Sequence, residues 1–213
     1  MDSVARRNAE SLLPAQEEPV RGTEQFAHVL AAAQANAGWA FERIFHLFAP
    51  RVRSFLQARG SLEPDELTND VFMAVFRAVA RFEGDESAFR AWLFTIAHHR
   101  LIDERRQHAR RGSVVPSDLT EYHDESGGDV ESEAMAILDR DWVGDLLSQL
   151  VPAQRDVLLL RVVADLTVDQ IAHVVGKSPG AVKALQRRGL GALRRLLEQQ
   201  GVPLQRSTDV FQD

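Results

Sequence analysis

The sequence predicts an all-α protein made of two small helical domains joined by a flexible acidic linker. Three observations predict it. Apolar residues recur at three- and four-residue steps along most of the chain, and strand-like alternation is weak. The stretch from Gly112 to about Asp139 is rich in serine, glycine and acids, with too few apolar residues to form a core. The segment from Thr167 to Arg195 carries the punctuation of two helices separated by a tight turn.

Residues 1–22 contain Pro14, Pro19 and adjacent glutamates without a sustained apolar face, and read as a disordered arm. A first helix is expected over Thr23–Ala37, capped by Thr23 and rich in alanine. After Gly38 a second helix places Phe41, Ile44, Phe45, Phe48, Val52, Phe55 and Leu56 on one stripe, with Pro50 a candidate kink and Gly60 its end. Ser61 or Pro64 opens a third helix with Leu67, Val71, Phe72, Val75, Phe76 and Val79 apolar. A polar loop, Glu83 to Glu86, follows. Ser87 is the expected cap of a fourth helix, with Phe89, Trp92, Leu93, Ile96 and Ala97 facing inward before an arginine-rich end. These stripes can bury one another in a bundle covering 23–111. Beyond the linker, taken as 112–141, helical pattern returns at Trp142, Leu146, Leu147 and Leu150, breaks at Pro152 and resumes at Val157–Leu160. The second domain is 142–201, and the tail 202–213 has no clear signal.

Within that second domain Thr167 can cap a helix whose apolar face is Ile171, Val174 and Val175, and Gly176 supplies the left-handed stop. Ser178 is a second cap, with Pro179 at the first helical position, where its missing N–H costs nothing. The next helix carries Lys183, Arg187, Arg188, Arg194 and Arg195 with no acid before Glu198. This is the form of a helix-turn-helix reader of the major groove. An ordinary αα-hairpin with a solvated basic face shares the pattern. The stop–cap–proline sequence and the one-signed second helix favour DNA.

The net charge of −6 opposes nucleic-acid binding only as an average. Arg100, Arg105, Arg106, Arg110 and Arg111 face only Asp103 and Glu104 in their segment, the linker is acidic, and the helix-turn-helix is basic again. There is no cysteine, hence no disulfide and no thiolate metal site, which fits a reducing cytoplasm. No apolar run approaches the roughly 20 residues of a membrane span, and the first residues lack a signal-peptide core. A cytoplasmic chain without membrane insertion is expected.

Two segments together carry a family likeness. Residues 65–111, with the words AFRAWLFTIA and LIDERR, resemble region 2 of bacterial sigma factors of the extracytoplasmic-function (ECF) group. Residues 146–197, with VPAQRDVLLLR and GAVKALQRR, resemble region 4 of the same group. The likeness covers most of 39–111 and 142–200, in the family's order. It implies a non-enzymatic initiation factor, without cofactor or metal, that binds core RNA polymerase and helps melt promoter DNA. The implied polymerase contacts are a coiled coil of the largest subunit and the β-subunit flap, and a protein inhibitor, an anti-sigma factor, is implied as well.

By resemblance, the helix from Asp65 docks on the coiled coil, offering Asp65, Glu66, Asn69 and Asp70 for charge-assisted hydrogen bonds to arginines. Acids at a helix N-terminus are also favoured by the dipole alone. The loop Arg81–Ser87 and the helix after it match the reader of the −10 element, where a base is flipped out of the non-template strand. Candidate contacts there are Arg81, Glu83, Gly84, Asp85, His98, His99, Arg100, Arg105, Arg106, Arg110 and Arg111. Trp92 and Phe94 are candidate stacking partners, although Trp92 also lies on the apolar stripe. For the −35 element the candidates are Thr167, Ser178, Pro179, Gly180, Ala181, Lys183, Ala184, Gln186, Arg187 and Arg188. Small residues at the front of that helix let its N-terminus approach phosphate. The family usually has asparagine at the position of His99 and glutamine at that of Asn69, so no promoter sequence is transferred. The acidic linker is expected either to mimic nucleic acid in a basic polymerase channel or to serve as a solvated tether.

Two other readings compete. A stand-alone helix-turn-helix repressor or activator needs a dimer surface, and no long heptad seam is present. An enzyme would have to use His99 and Asp103, four apart on a helix, but no second ligand pair, glycine-rich phosphate loop or nucleophile motif accompanies them.

Overall fold

A computed structural model describes residues 22–110 and 143–201. The expected N-terminal arm, acidic linker and C-terminal tail, together with Arg111, fall almost wholly or wholly outside these residues. The described chain is helical without a strand: α1 (Gly22–Gln34), α2 (Gly38–Ala58), α3 (Pro64–Ala78), a 3-10 turn (Val79–Arg81), α4 (Glu86–Arg110), α5 (residues 143–148), α6 (Pro152–Val162), α7 (Val168–Val175) and α8 (Pro179–Gln199).

In the first bundle α2 packs on α3, α3 on α4, and α1 lies across α2 and the 3-10 turn. The predicted stripe of α2 is the core seam: Ile44, Phe48, Val52, Phe55 and Leu56 are buried, and Phe41 and Phe45 pack against it from its edge. Pro50 lies inside a continuous α2. Aromatic edges interlock across the bundle. Phe55 meets Phe94 edge-on at 5.4 Å, and Phe26 of α1 meets Phe48 at 5.9 Å and Phe89 at 5.3 Å. With Phe26, Val29, Leu30 and Ala33 buried, α1 is part of this core.

The start of α4 differs from expectation. The helix begins at Glu86, and its cap is Asp85, whose Oδ1 accepts from Ala88 N–H at 2.8 Å. Ser87 is inside the first turn. Asp85 wins because its carboxylate also favours the positive helix end.

In the second bundle α6 packs on α8 and α7 on both. Pro152 sits at the first turn of α6, so the expected break is a helix start. Val157, Leu158, Leu159 and Leu160 are all buried because α6 is covered on several sides, by α7, α8 and α2. The helix-turn-helix is as read. Thr167 and Gln170 form a reciprocal capping box, Gly176 stops α7 at φ 63°, and Ser178 Oγ caps α8 through Ala181 N–H.

The two bundles pack on each other instead of standing apart. α7 lies against α4, α6 approaches α2, and one apolar cluster runs through both halves.

Candidate nucleic-acid interface

Asp65 and Asn69 of α3 line a groove between α2 and α3, and Glu66 and Asp70 follow them on the same helix. Asp65, Glu66, Asn69 and Asp70 are all exposed. The groove, about 360 Å³, is lined by Phe45, Pro50, Arg53, Asp65, Thr68 and Asn69 among others. Arg53 reaches Asp65 at 2.5 Å, while Glu63 beside Glu66 raises the Glu66 pKa by like-charge repulsion. Leu47 and Met73 are exposed apolar side chains of the same two helices, Met73 to 50%. An exposed apolar side chain beside a carboxylate rim is what a docking surface offers to a basic, partly apolar partner.

The −10 candidates fall into separate groups. Arg81, Glu83, Gly84 and Asp85 are exposed in the loop before α4. Gly84 has φ +148°, and a Cβ there would lie 2.8 Å from the Ala88 Cβ and 3.1 Å from the Phe82 ring, so the loop requires glycine. Phe82 stacks on Trp92 at 5.0 Å, and Gln34 Nε2 of α1 donates to the Phe82 carbonyl at 2.8 Å, which fixes the loop from behind. On α4, His99, Arg106 and Arg110 share a helix face by their seven- and four-residue spacing, and all are exposed, as is Arg100. Asp103 lies on the same face and pairs with Arg106 at 3.6 Å.

His98 and Arg105, seven apart, lie on another face, His98 buried and Arg105 exposed. His98 is buried with its Nδ1 3.2 Å from Arg59 Nη1. Burial, then Arg59, lowers its pKa to about 4, so at neutral pH it is an uncharged core group turned away from solvent DNA. Arg105 donates through Nη2 to the Arg59 carbonyl, an orphan acceptor at the end of α2. Phe94 is fully buried against Phe55, which removes it as a stacking partner for bases; Trp92 is half-buried.

The −35 candidates lie along the front of α8. Ser178, Pro179, Gly180, Lys183, Arg187 and Arg188 are exposed, and Ala181, Ala184 and Gln186 are partly so. Lys183 and Arg187, one turn apart, line one side of the helix with no carboxylate among the described residues of α7 and α8 bonded to either. Thr167 acts on the backbone as the cap of α7, a supporting role.

Sequence reasoning missed the residues that join the halves. Asp156 of α6 reaches Arg59 Nε at 2.7 Å, off the line of a hydrogen bond. Asp165 binds Arg90 Nη1 at 2.7 Å. Gln170, already part of the capping box, donates to Ser87 Oγ at 3.0 Å and to its carbonyl at 3.3 Å. Burial lowers the Arg59 pKa to about 10 against the pull of Asp156, and burial raises that of Asp156 despite three nearby arginines. The one sequence signal was Asp156 itself, an acid directly before four buried apolar residues. Nothing in the sequence paired it with Arg59, which reads as an ordinary basic helix end.

Comparison with known proteins follows the same division. Residues 44–111 match the family described as Sigma-70 region 2, and residues 146–195 match Sigma-70, region 4. The chain is 38% identical over 138 residues to the ECF RNA polymerase sigma factor ShbA of Streptomyces griseus, covering 63% of this chain and 72% of that one. It is 31% identical over 180 residues to the ECF RNA polymerase sigma factor SigD of Mycobacterium tuberculosis, covering 80% and 83%. In fold it resembles the sigma factor RpoE of Bartonella quintana, solved with the anti-sigma factor NepR, at a TM-score of 0.58 and 22% identity over 74% of this chain and 96% of that one. The two regions occur in one chain, in order, and relatives match across both, so the chain belongs to the ECF group of sigma-70 RNA polymerase sigma factors.

Proposed function

We propose that this sigma factor docks on core RNA polymerase through the α2–α3 groove and reads promoter DNA with two separate surfaces. Asp65, Glu66, Asn69 and Asp70 meet basic groups of the polymerase, and Met73 and Leu47 supply apolar contact. The loop Arg81–Asp85 receives a flipped −10 base, while Arg100, Arg106, Arg110 and His99 hold the displaced backbone. The exposed front of α8, with Lys183, Gln186, Arg187 and Arg188, enters the major groove of the −35 element. His98 and Phe94 are left out of the DNA set because they are buried.

The observation that supports this reading most is the segregation of charge. Asp65, Glu66 and Asp70 are exposed together at the start of α3, whereas α4 ends in Arg100, Arg106 and Arg110 and α8 carries Lys183, Arg187 and Arg188, all exposed; Arg43, Arg51 and Arg77 are further exposed cations on α2 and α3. One surface suits a basic protein and the other two suit phosphate. The relatives' names support core polymerase as the partner, and the solved neighbour determined with the anti-sigma factor NepR supports a protein inhibitor. A solitary repressor would leave the acid-rimmed groove without a role.

The division of labour is tested with core polymerase and labelled promoter fragments. Asp65→Ala/Asp70→Ala is expected to weaken co-elution with core. Lys183→Ala/Arg187→Ala is expected to leave co-elution unchanged and weaken protection of the upstream element. Equal loss of core binding in both variants would contradict the assignment.

A further inference from the structure

The ion pair between the halves joins groups with unequal alternatives. Arg59 is 4% exposed and Asp156 16%. Around the Asp156 carboxylate stand Arg59, Arg105 and Arg155. Arg59 and Arg105 belong to the first half, where the uncharged His98 lies 3.2 Å from Arg59, and Asp156 and Arg155 belong to the second. Glu104 is the nearby acid of the first half, and its Oε1 accepts from Ser61 Oγ at 2.8 Å. Among the described residues, Asp156 is the one carboxylate paired with Arg59.

The packed arrangement is not the promoter-bound one. Elements centred near −10 and −35 lie about 25 base pairs apart, roughly 85 Å at 3.4 Å per base pair. Here Gln170 of the helix-turn-helix touches Ser87 beside the −10 loop at 3.0 Å. To reach both elements the halves must separate, and Arg59 and Arg105 then lose Asp156. Two neighbouring guanidiniums with no counter-ion, Arg59 at the end of α2 and Arg105 on the helix that carries Arg100 and Arg106, are a site for an oxyanion. A buried ion pair gains little net stability over its solvated parts, so exchanging its carboxylate for another oxyanion is energetically accessible.

We infer that Arg59 and Arg105 form a binding site for a phosphate of the promoter DNA backbone, and that Asp156 occupies this site in the packed chain as a carboxylate stand-in. DNA binding and separation of the halves are then coupled through one site, since phosphate and Asp156 exclude each other. The inference rests on the reading of α4 as a DNA-facing helix.

The test uses the full-length chain and a fluorescent mixed-sequence duplex with a central unpaired bubble, titrated over a series of KCl concentrations. Asp156→Asn is expected to tighten binding by about fivefold or more, the lower end for coupled sites. Adding Arg59→Gln to Asp156→Asn is expected to reduce the slope of log K against log[KCl] by about one phosphate's worth, 0.7–0.9. Arg59→Lys in the same background, which keeps the charge, is expected to retain the slope, so that a folding defect cannot imitate the result. Unchanged affinity in Asp156→Asn, or an unchanged slope on adding Arg59→Gln, overturns the inference. Arg100→Gln/Arg106→Gln separates the two levels. If that pair lowers the slope and Arg59→Gln does not, only the Arg59 site falls; if neither does, the DNA-facing reading of α4 falls with it.

Discussion

Gly84→Ala puts the −10 loop under a load that can be worked from its surroundings. With φ at +148°, a residue bearing a Cβ occupies a backbone region essentially reserved for glycine, at about 1–3 kcal/mol. The new methyl would stand 2.8 Å from the Ala88 Cβ, which belongs to the first turn of α4 and cannot swing aside as a long side chain can. Overpacking of this kind costs about 1–3 kcal/mol where nothing moves. The loop is exposed and will move, so the global loss should be about 2 kcal/mol, the rest being released by displacement. At this chain length that corresponds to about 4–8 °C in Tm. Displacement separates Phe82 from Trp92 and shifts Glu83 and Asp85, so promoter opening should fall further than stability does. Circular dichroism melting reads the first effect. Fluorescence of 2-aminopurine in the −10 element, with holoenzyme, reads the second. Gly144→Ala, where a Cβ meets open space, is the control. Wild-type melting together with wild-type promoter opening in Gly84→Ala would refute the argument.

Other expectations can be checked alongside. Phe55→Ala, at a fully buried ring between α2 and α4, should destabilise by about 3–5 kcal/mol in urea unfolding. Thr167→Ala removes one arm of the capping box and should cost about 1 kcal/mol, whereas Gln170→Ala removes the other arm and the bond to Ser87, and should also loosen the packing of the halves in small-angle scattering. His98 makes stability pH-dependent: its pKa is about 4 in the folded chain and near 6.5 unfolded, so the unfolded chain binds more protons between those values. Its contribution, up to about 3 kcal/mol, is present above pH 6.5 and lost as pH falls toward 4, with Arg59, Arg105 and His99 as the charged or titrating groups around it. Asp156, raised by burial, acts in the opposite sense at the acid end. His98→Gln should therefore flatten the stability profile between pH 6.5 and 4.5, and an unchanged profile would assign the dependence to other groups.

Much of the architecture was legible because helical periodicity and capping chemistry are local. The stripe from Ile44 to Leu56 and the sequence Thr167, Gly176, Ser178, Pro179 each specify their element without reference to the rest of the chain. The start of α4 was misplaced by two residues because serine and aspartate are both good caps, and the charge that decided for Asp85 acts within the same turn. The division of α4 was only half legible. Spacing puts His99 and Arg106 on one face and His98 and Arg105 on another, but which face meets Arg59 depends on how α2 ends. The contact between the halves was not legible at all. Asp156 and Arg59 are 97 positions apart, as their numbers show, and pair only when two independent bundles dock. The same holds for Asp165 with Arg90 and for Gln170 with Ser87, where an arginine already beside Glu86 and a capping amide take on second partners.

The central claim is that this chain carries both the polymerase-docking surface and the two promoter-reading surfaces of an initiation factor. Run-off transcription on fragmented genomic DNA, with purified core polymerase in the presence and absence of the chain, tests it most directly. Discrete transcripts that appear only when the chain is added, and that are lost with Lys183→Ala/Arg187→Ala, are the predicted result. An identical transcript pattern with and without the chain, under conditions where the chain is folded and binds core, would contradict it.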